Sequence, residues 1–461
     1  MLINFSVSNF LSFNERQTFS MIGGKVQKKP EHLQKDKNLK LLKFAAVFGA
    51  NASGKSNLVS AMQFAQELIL NTFPHGTEQD YCRIHPENKT KPSSFEFEIK
   101  IGKHYYAYGF DITINQRSIA GEWLYELPPK QPEKLIFERE PGKGSIRISP
   151  EYNTTELHTV ATFLKTNTAK LFLQEMNENK GDLYTTHPEI SILRDVYHWF
   201  SEHLSINYPD YPLWRPTSVV NKNNLKQLNN IITSLGLGID TIDIVPATME
   251  EISQYFGNNL METGKILDDL TDSIQTAGQN EEPNPETGVI IQTPRAFYIL
   301  RMGEDTTTPK AEKLCFRHLG NNTLFEFNEE SDGTRRMIDL IGLIFDAESG
   351  NSRTYVIDEI DRNLHPQLTY KLIETYLSLV NRGNIQLIVT THESHIMDLQ
   401  LLRRDEIWFV EKNQSGESKL YSLENFTERF DKKVSKAYLE GRYGSTPLFD
   451  AFYPMHPPEN T

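Results

Sequence analysis

Apolar and polar residues alternate from Phe95 to Ile101 and again from Tyr105 to Ile112, on either side of Gly102-Lys103. That period of two is the signature of half-buried strands, and the glycine-containing break makes the pair a β-hairpin. Leu2–Val7 and Gln17–Met21 predict short edge strands around a turn at Ser12–Glu15, and Ser118–Leu127 with Lys134–Glu138 predict further antiparallel strands. Leu41–Phe48 is a short, mostly apolar run of buried-strand type, and Asn57–Leu70 then carries apolar residues at helical spacing (Leu58, Met62, Leu68, Ile69). Helical periodicity dominates from about Val160 to Leu204 and again from Asn223 to Leu235. Glu250–Thr293 starts as a helix and turns polar at Ala277–Thr287, which predicts an exposed loop or disordered tract. Strand patterns return at Val289–Gln292, Ala296–Arg301 and Lys313–Leu319. From Ser331 onward helix and strand alternate, through buried-strand runs at Thr354–Ile357 and Gln386–Thr391 and a hairpin of Glu406–Lys412 with Lys419–Leu423.

This order predicts an α/β protein with a mixed sheet: an antiparallel part near the N-terminus, a parallel core, and a mainly helical insertion. The divisions fall at 1–194, 195–293 and 294–461. Of the 461 residues, 38% are apolar and 24% charged, which suits a soluble globular chain. No apolar stretch is long enough for a membrane span and no secretory leader is evident, so a cytoplasmic location is expected. Two cysteines, Cys82 and Cys315, exclude a disulfide framework and a cysteine-rich zinc site. The net charge of −13 argues against a surface that coats nucleic acid, and the lysine-rich stretch Lys25–Lys43 reads best as a solvated loop.

Gly49–Ser56 reads G-A-N-A-S-G-K-S, a complete phosphate-binding loop between a predicted strand and a predicted helix. Its glycines let backbone N–H groups wrap a phosphate. Lys55 reaches the β- and γ-phosphates, and Ser56 offers a hydroxyl to Mg²⁺. Gly49, Asn51, Ala52, Ser53, Gly54, Lys55, Ser56 and Asn57 are therefore candidate nucleotide-binding residues. Asp358-Glu359 closes the buried-strand run T-Y-V-I: Asp358 is placed to hold Mg²⁺ with Ser56, and Glu359 to polarise a water attacking the γ-phosphate. His392 ends the run Q-L-I-V-T-T, at the carboxyl end of a parallel strand, where it would face a γ-phosphate. No cysteine or histidine cluster supports a further metal at His392 and His395.

Taken in order, these motifs resemble the ABC-type ATPase head. More narrowly, the chain is similar to the stand-alone prokaryotic ATPases related to RecF and SMC heads. The residues that carry the likeness are I-N-F-S-V-S-N-F-L-S-F at the start, G-A-N-A-S-G-K-S-N, I-D-E-I-D-R-N-L-H-P, T-T-H-E-S, and Y-L-E-G-R-Y-G-S-T-P at Tyr438–Pro447. Within that group it looks most like the ATPase subunits of phage-defence systems of the RloA and AbiLi kind, and next like the PARIS-system ATPase. The resemblance implies ATP and Mg²⁺ as cofactors, with Asp358 as the metal-binding acid, Glu359 as the catalytic glutamate and His392 as the switch histidine. It implies a signature-like motif at Ser331-Asp-Gly-Thr334, whose Ser331 and Gly333 would contact nucleotide held by a second copy, and it aligns Arg362–His365 with a loop that touches the partner subunit. Arg335 and Arg336 could compensate γ-phosphate charge across that interface or simply be solvated first-turn residues.

The function so implied is an ATP-hydrolysing subunit of an anti-phage system. Nucleotide-dependent homodimerisation would control a separate effector, a Toprim-like nuclease, with a phage protein or DNA as trigger and no membrane partner. The stretch after His392 is too short for a fused nuclease domain, so that activity is expected on another chain. The alternative is a RecF/SMC-like ATPase of DNA repair or maintenance, although the middle lacks the sustained heptads of an SMC coiled coil.

Overall fold

The computed structural model describes residues 1–35, 39–152, 154–178, 180–209, 222–253, 288–292, 296–302, 309–349, 352–380, 383–426 and 434–443. The polar tract Ala277–Thr287 lies outside them. Two compact units form. One joins Met1–Pro209, Ser352–Ile360 and Asn384–Thr461; the other joins Asp210–Asn351 and Asp361–Gly383.

The first unit contains two large sheets and a two-stranded one that pairs Leu33–Lys35 with Lys40–Leu42. One is antiparallel and seven-stranded, in the order Ser145–Ile148, Lys134–Glu140, Ser118–Glu126, His104–Thr113, Ser93–Ile101, Leu2–Ser8, Gln17–Ser20. The alternating runs give the hairpin register Phe95↔Phe110, Phe97↔Tyr108 and Ile99↔Tyr106. Their apolar faces are buried, and Phe95 stacks on Phe64 and Phe110 with ring centroids 5.4 Å apart. Leu2–Ser8 is not the edge strand its length suggested. It bonds to Gln17–Ser20 on one side and Ser93–Ile101 on the other, leaving only Gln17–Ser20 at that edge.

The second sheet of this unit has its six strands numbered in chain order: β1 (Phe44–Phe48), β2 (Leu204–Asn207), β3 (Thr354–Ile357), β4 (Gln386–Thr390), β5 (Ile407–Lys412) and β6 (Ser418–Ser422). Their spatial order is β2-β3-β4-β1-β5-β6. Neighbours from β2 through to β5 are parallel, and β6 runs antiparallel to β5. β1, β3 and β4 are buried along their whole length, as continuous apolar runs in a covered parallel sheet should be. The run Leu41–Phe48 breaks at Lys43, which separates Lys40–Leu42 from β1; Lys43 donates its amide to His32 O, and burial pushes its ammonium pKa down.

Helix α1 (Lys55–Leu70) follows the phosphate loop. The stretch with helical period from Val160 to Leu204 is not one helix. It becomes Thr155–Leu164, Phe172–Asn177, Gly181–Thr186, Ser191–His198 and a π-helical turn Trp199–His203 that leads into β2.

In the second unit Ile239–Pro246, Pro309–His318, Phe297–Met302 and Gly288–Gln292 form an antiparallel sheet, with Leu324–Phe325 added to Pro309–His318. Ile239–Pro246 is a strand that the sequence reading missed within the insertion. Helices Lys222–Leu235, α2 (Asp332–Ser349) and α3 (Pro366–Leu379) pack on one another. Among the described residues no helix is long and apolar enough to cross a membrane.

Candidate functional site

Because β3, β4 and β1 are adjacent and parallel, their carboxyl ends lie at one edge of the sheet. Asp358-Glu359 follow β3, Thr391-His392 follow β4, and Gly49 follows β1. That edge is where ligands bind in open α/β sheets. The phosphate loop, far from the other two segments in sequence, thus shares a small volume with them.

The loop's geometry requires its glycines. A Cβ on Gly49 would sit 2.4 Å from Val410 O and 2.5 Å from Ser53 Oγ. Gly54 has φ +113°, and a Cβ there would meet Ser418 Oγ at 2.4 Å. Ala52, in the left-handed region with φ +61°, completes the bend, and Ser53 N–H closes onto Ala50 O. Gly54 caps α1 without a side-chain bond, so the loop leads into a helix N-terminus whose first N–H groups have no intrahelical partner. Ser53 Oγ is buried without a hydrogen-bond partner inside the loop. Spare donors, a helix dipole and two positions without a Cβ, Gly49 and Gly54, fit a polyphosphate.

Lys55 is 4% exposed, and its Nζ donates to Gly49 O (2.9 Å) and Ala50 O (3.0 Å). The same Nζ lies 3.4 Å from His392 Nδ1. Asn51, Ala52 and Ser56 are exposed, as residues facing a ligand from outside would be. Asn57 instead turns to the protein and donates to Ser12 Oγ (2.6 Å).

Asp358 is buried, at 4% exposure, with its amide bonded to Asn207 O (2.9 Å). Glu359 adopts a left-handed backbone, φ +47°, uncommon for a residue with a side chain. The Thr390 hydroxyl connects the two: it donates to Asp358 Oδ1 (2.5 Å) and accepts from the Glu359 amide (2.9 Å). Nearby Tyr208 donates to Ser60 Oγ, and burial pushes its phenol pKa up to about 12.

Residues outside the sequence motifs brace the loop. Ser418 donates to Ser53 O (2.6 Å) and accepts from Ser12 Oγ (2.7 Å), so the β5–β6 hairpin and the turn after the first strand grip the loop from outside. Glu417 beside it accepts from Asn14, His85 and Asn413. No local pattern marks Ser12, Ser418 or Thr390; strand pairing alone brings them in.

Ser331 and Gly333 belong to the second unit, at the start of α2. Ser331 Oγ accepts from Thr334 N–H (3.1 Å), capping the helix, and a Cβ on Gly333 would meet Asn363 O at 2.9 Å. The arginine pair that follows is engaged within its own helix: Arg335 pairs with Asp332, and buried Arg336 bonds Asp339 at 3.0 Å. Of the Arg362–His365 loop, His365 caps α3 and Asn363 is left-handed, φ +62°.

Residues 44–398 match the protein family described as "AAA domain, putative AbiEii toxin, Type IV TA system". No curated protein sequence matches the chain. Among solved structures, an SMC head bound to the C-terminal winged-helix domain of ScpA is 13% identical, with a TM-score of 0.41 over 95% of this chain and 99% of that one. The SMC head domain from Thermotoga maritima is also 13% identical, with a TM-score of 0.37 over 91% of this chain and 98% of that one.

Proposed function

The chain belongs to this AAA-domain family and is a P-loop ATPase with the ABC-type head fold; we propose that it is the nucleotide-driven switch subunit of a prokaryotic antiviral or toxin–antitoxin system. One observation carries the site assignment. The phosphate loop and the acidic pair flank the same central strand, with Lys55 in contact with His392. In this reading Gly49–Asn57 cradle the triphosphate of ATP, with Lys55 leaving its own loop carbonyls for phosphate oxygens. Ser56 and Asp358 would hold Mg²⁺, which supplies charge neutralisation to the phosphates. Glu359 orients and polarises the attacking water, and His392 accepts or donates at the γ-phosphate side and reports its loss through Lys55.

Ser331 and Gly333 complete the site of a second copy, each capped helix offering its N-terminus to an anion. ATP then favours a closed homodimer and hydrolysis loosens it, so nucleotide state sets the geometry offered to a separate effector. The defence setting is supported by the family description; a Toprim-like nuclease effector and a phage-derived trigger extend the sequence resemblance. A DNA-maintenance ATPase would use the same hydrolytic residues but would be stimulated by DNA.

The test is the mass of Glu359→Gln by light scattering, with and without MgATP. The expected result is an ATP-dependent doubling that Ser331→Arg abolishes while ATP binding persists. A mass unchanged by nucleotide would overturn the switch, and turnover accelerated tenfold or more by DNA alone would move the assignment to DNA maintenance.

A further inference from the structure

We propose that Thr390 is a positioning residue for hydrolysis, joining the two carboxylates of the site through one hydroxyl. The inference rests on the roles given above to Asp358 and Glu359.

Thr390 is the last residue of β4, between β3 and β1, and is 1% exposed. It makes three separate contacts with the turn that leaves β3. Its Oγ1 bonds Asp358 Oδ1 at 2.5 Å and the Glu359 amide at 2.9 Å, and its carbonyl accepts from the Ile360 amide at 3.1 Å. The direction of the hydroxyl is fixed by chemistry. An amide N–H can only donate, so Oγ1 accepts from Glu359, and the single hydroxyl proton goes to the carboxylate. A carboxylate has room for further bonds beyond this one, so the contact orients Asp358 without using up its capacity to ligate.

The bond to the Glu359 amide falls on the strained residue. Left-handed backbone at φ +47° persists only where the surroundings hold it, and such strain concentrates where a side chain must be aimed. The hydroxyl is not needed to form the strand. Leu387, Ile388 and Val389 precede it as a buried apolar run, and a valine has the same shape and the same β-branched preference for strands. Threonine at this place adds a polar atom to an apolar strand at the one point where it reaches both acidic residues. Removing it leaves the metal-binding and water-polarising groups present but free to drift apart.

The experiment compares Thr390→Val, Thr390→Ala and Thr390→Ser with the wild type and Lys55→Ala. It measures steady-state ATP hydrolysis, the Mg²⁺ concentration for half-maximal rate, and equilibrium binding of ATP without Mg²⁺. For Thr390→Val and Thr390→Ala, kcat is expected to fall roughly 10–100-fold and the half-maximal Mg²⁺ to rise several-fold, the scale on which residues that orient metal ligands act. ATP binding without Mg²⁺ should stay within about threefold, since the phosphate loop is untouched. Thr390→Ser, which keeps the hydroxyl, should restore kcat to within about threefold of wild type. A folded Thr390→Val or Thr390→Ala with wild-type kcat and Mg²⁺ dependence overturns the inference. So does a Thr390→Ser as impaired as the other two, because the hydroxyl is then not what matters. Lys55→Ala separates the two levels: if it hydrolyses ATP normally the site assignment itself fails, whereas an inactive Lys55→Ala beside a normal Thr390→Val removes Thr390 alone.

Discussion

A methyl group on Gly49 would lie 2.4 Å from Val410 O and 2.5 Å from Ser53 Oγ, one contact with a neighbouring strand and one with the loop itself. The Ser53 hydroxyl can rotate, but the Val410 carbonyl is backbone and cannot yield without moving β5, so Gly49→Ala should lower ATP affinity at least about tenfold, the scale of an overpacked contact. Calorimetric titration with ATP checks this, and wild-type affinity would count against the loop geometry. The phosphate loop was legible from residues alone because its requirements are local: two positions without Cβ, one amine, one hydroxyl. Asp358, Glu359 and His392 were legible for a similar reason, each ending a buried run. Thr390, Ser12 and Ser418 were not, since what matters about them is which atoms lie across a strand boundary or on the far side of the loop. For Arg335 and Arg336 the sequence left a ligand role and a solvated first-turn role both open. Adjacent cations after a signature-like serine invited a ligand role, yet Asp332 and Asp339, each three residues away, engage them on the same helix.

Among elements, the β5–β6 hairpin is the one that braces the loop. Ser418 touches Ser12 and Ser53, while Glu417 gathers Asn14, His85 and Asn413; its bonds with His85, first, and then Asn413 hold its carboxyl below the usual range. A carboxyl with a depressed folded pKa contributes stability above its unfolded pKa of about 4.3 and loses it as pH falls through the folded value. Wild type should therefore lose more thermal stability than Glu417→Gln between about pH 5 and pH 3, so that their melting temperatures converge on acidification. A difference between the two that is constant with pH would contradict this.

The long helical-period stretch shows why element boundaries were harder to read. Arg139, fully buried, donates to Leu164, Asn167 and Lys170 carbonyls, and its partner Glu122 accepts the Phe172 and Leu173 amides. That ion pair, on strands paired well before the helices in sequence, satisfies the backbone of a break between two helices that the apolar period runs straight through. Strand Ile239–Pro246 carried only a short signal, the alternation of Ile242-Asp243-Ile244, within an insertion expected to be mainly helical.

At the scale of the whole molecule, the chain is a P-loop ATPase whose parallel sheet gathers a phosphate loop, an acidic pair and a histidine at one edge. In the proposed reading Glu359 serves the hydrolytic step and is not needed to bind the nucleotide. The most direct test is the ATP turnover number of Glu359→Gln, taken on protein shown to bind ATP within about threefold of wild type. The expected result is a fall of at least about 100-fold, the scale of a lost general base, with nucleotide retained on the protein. A Glu359→Gln enzyme that binds ATP and turns it over at the wild-type rate would contradict it.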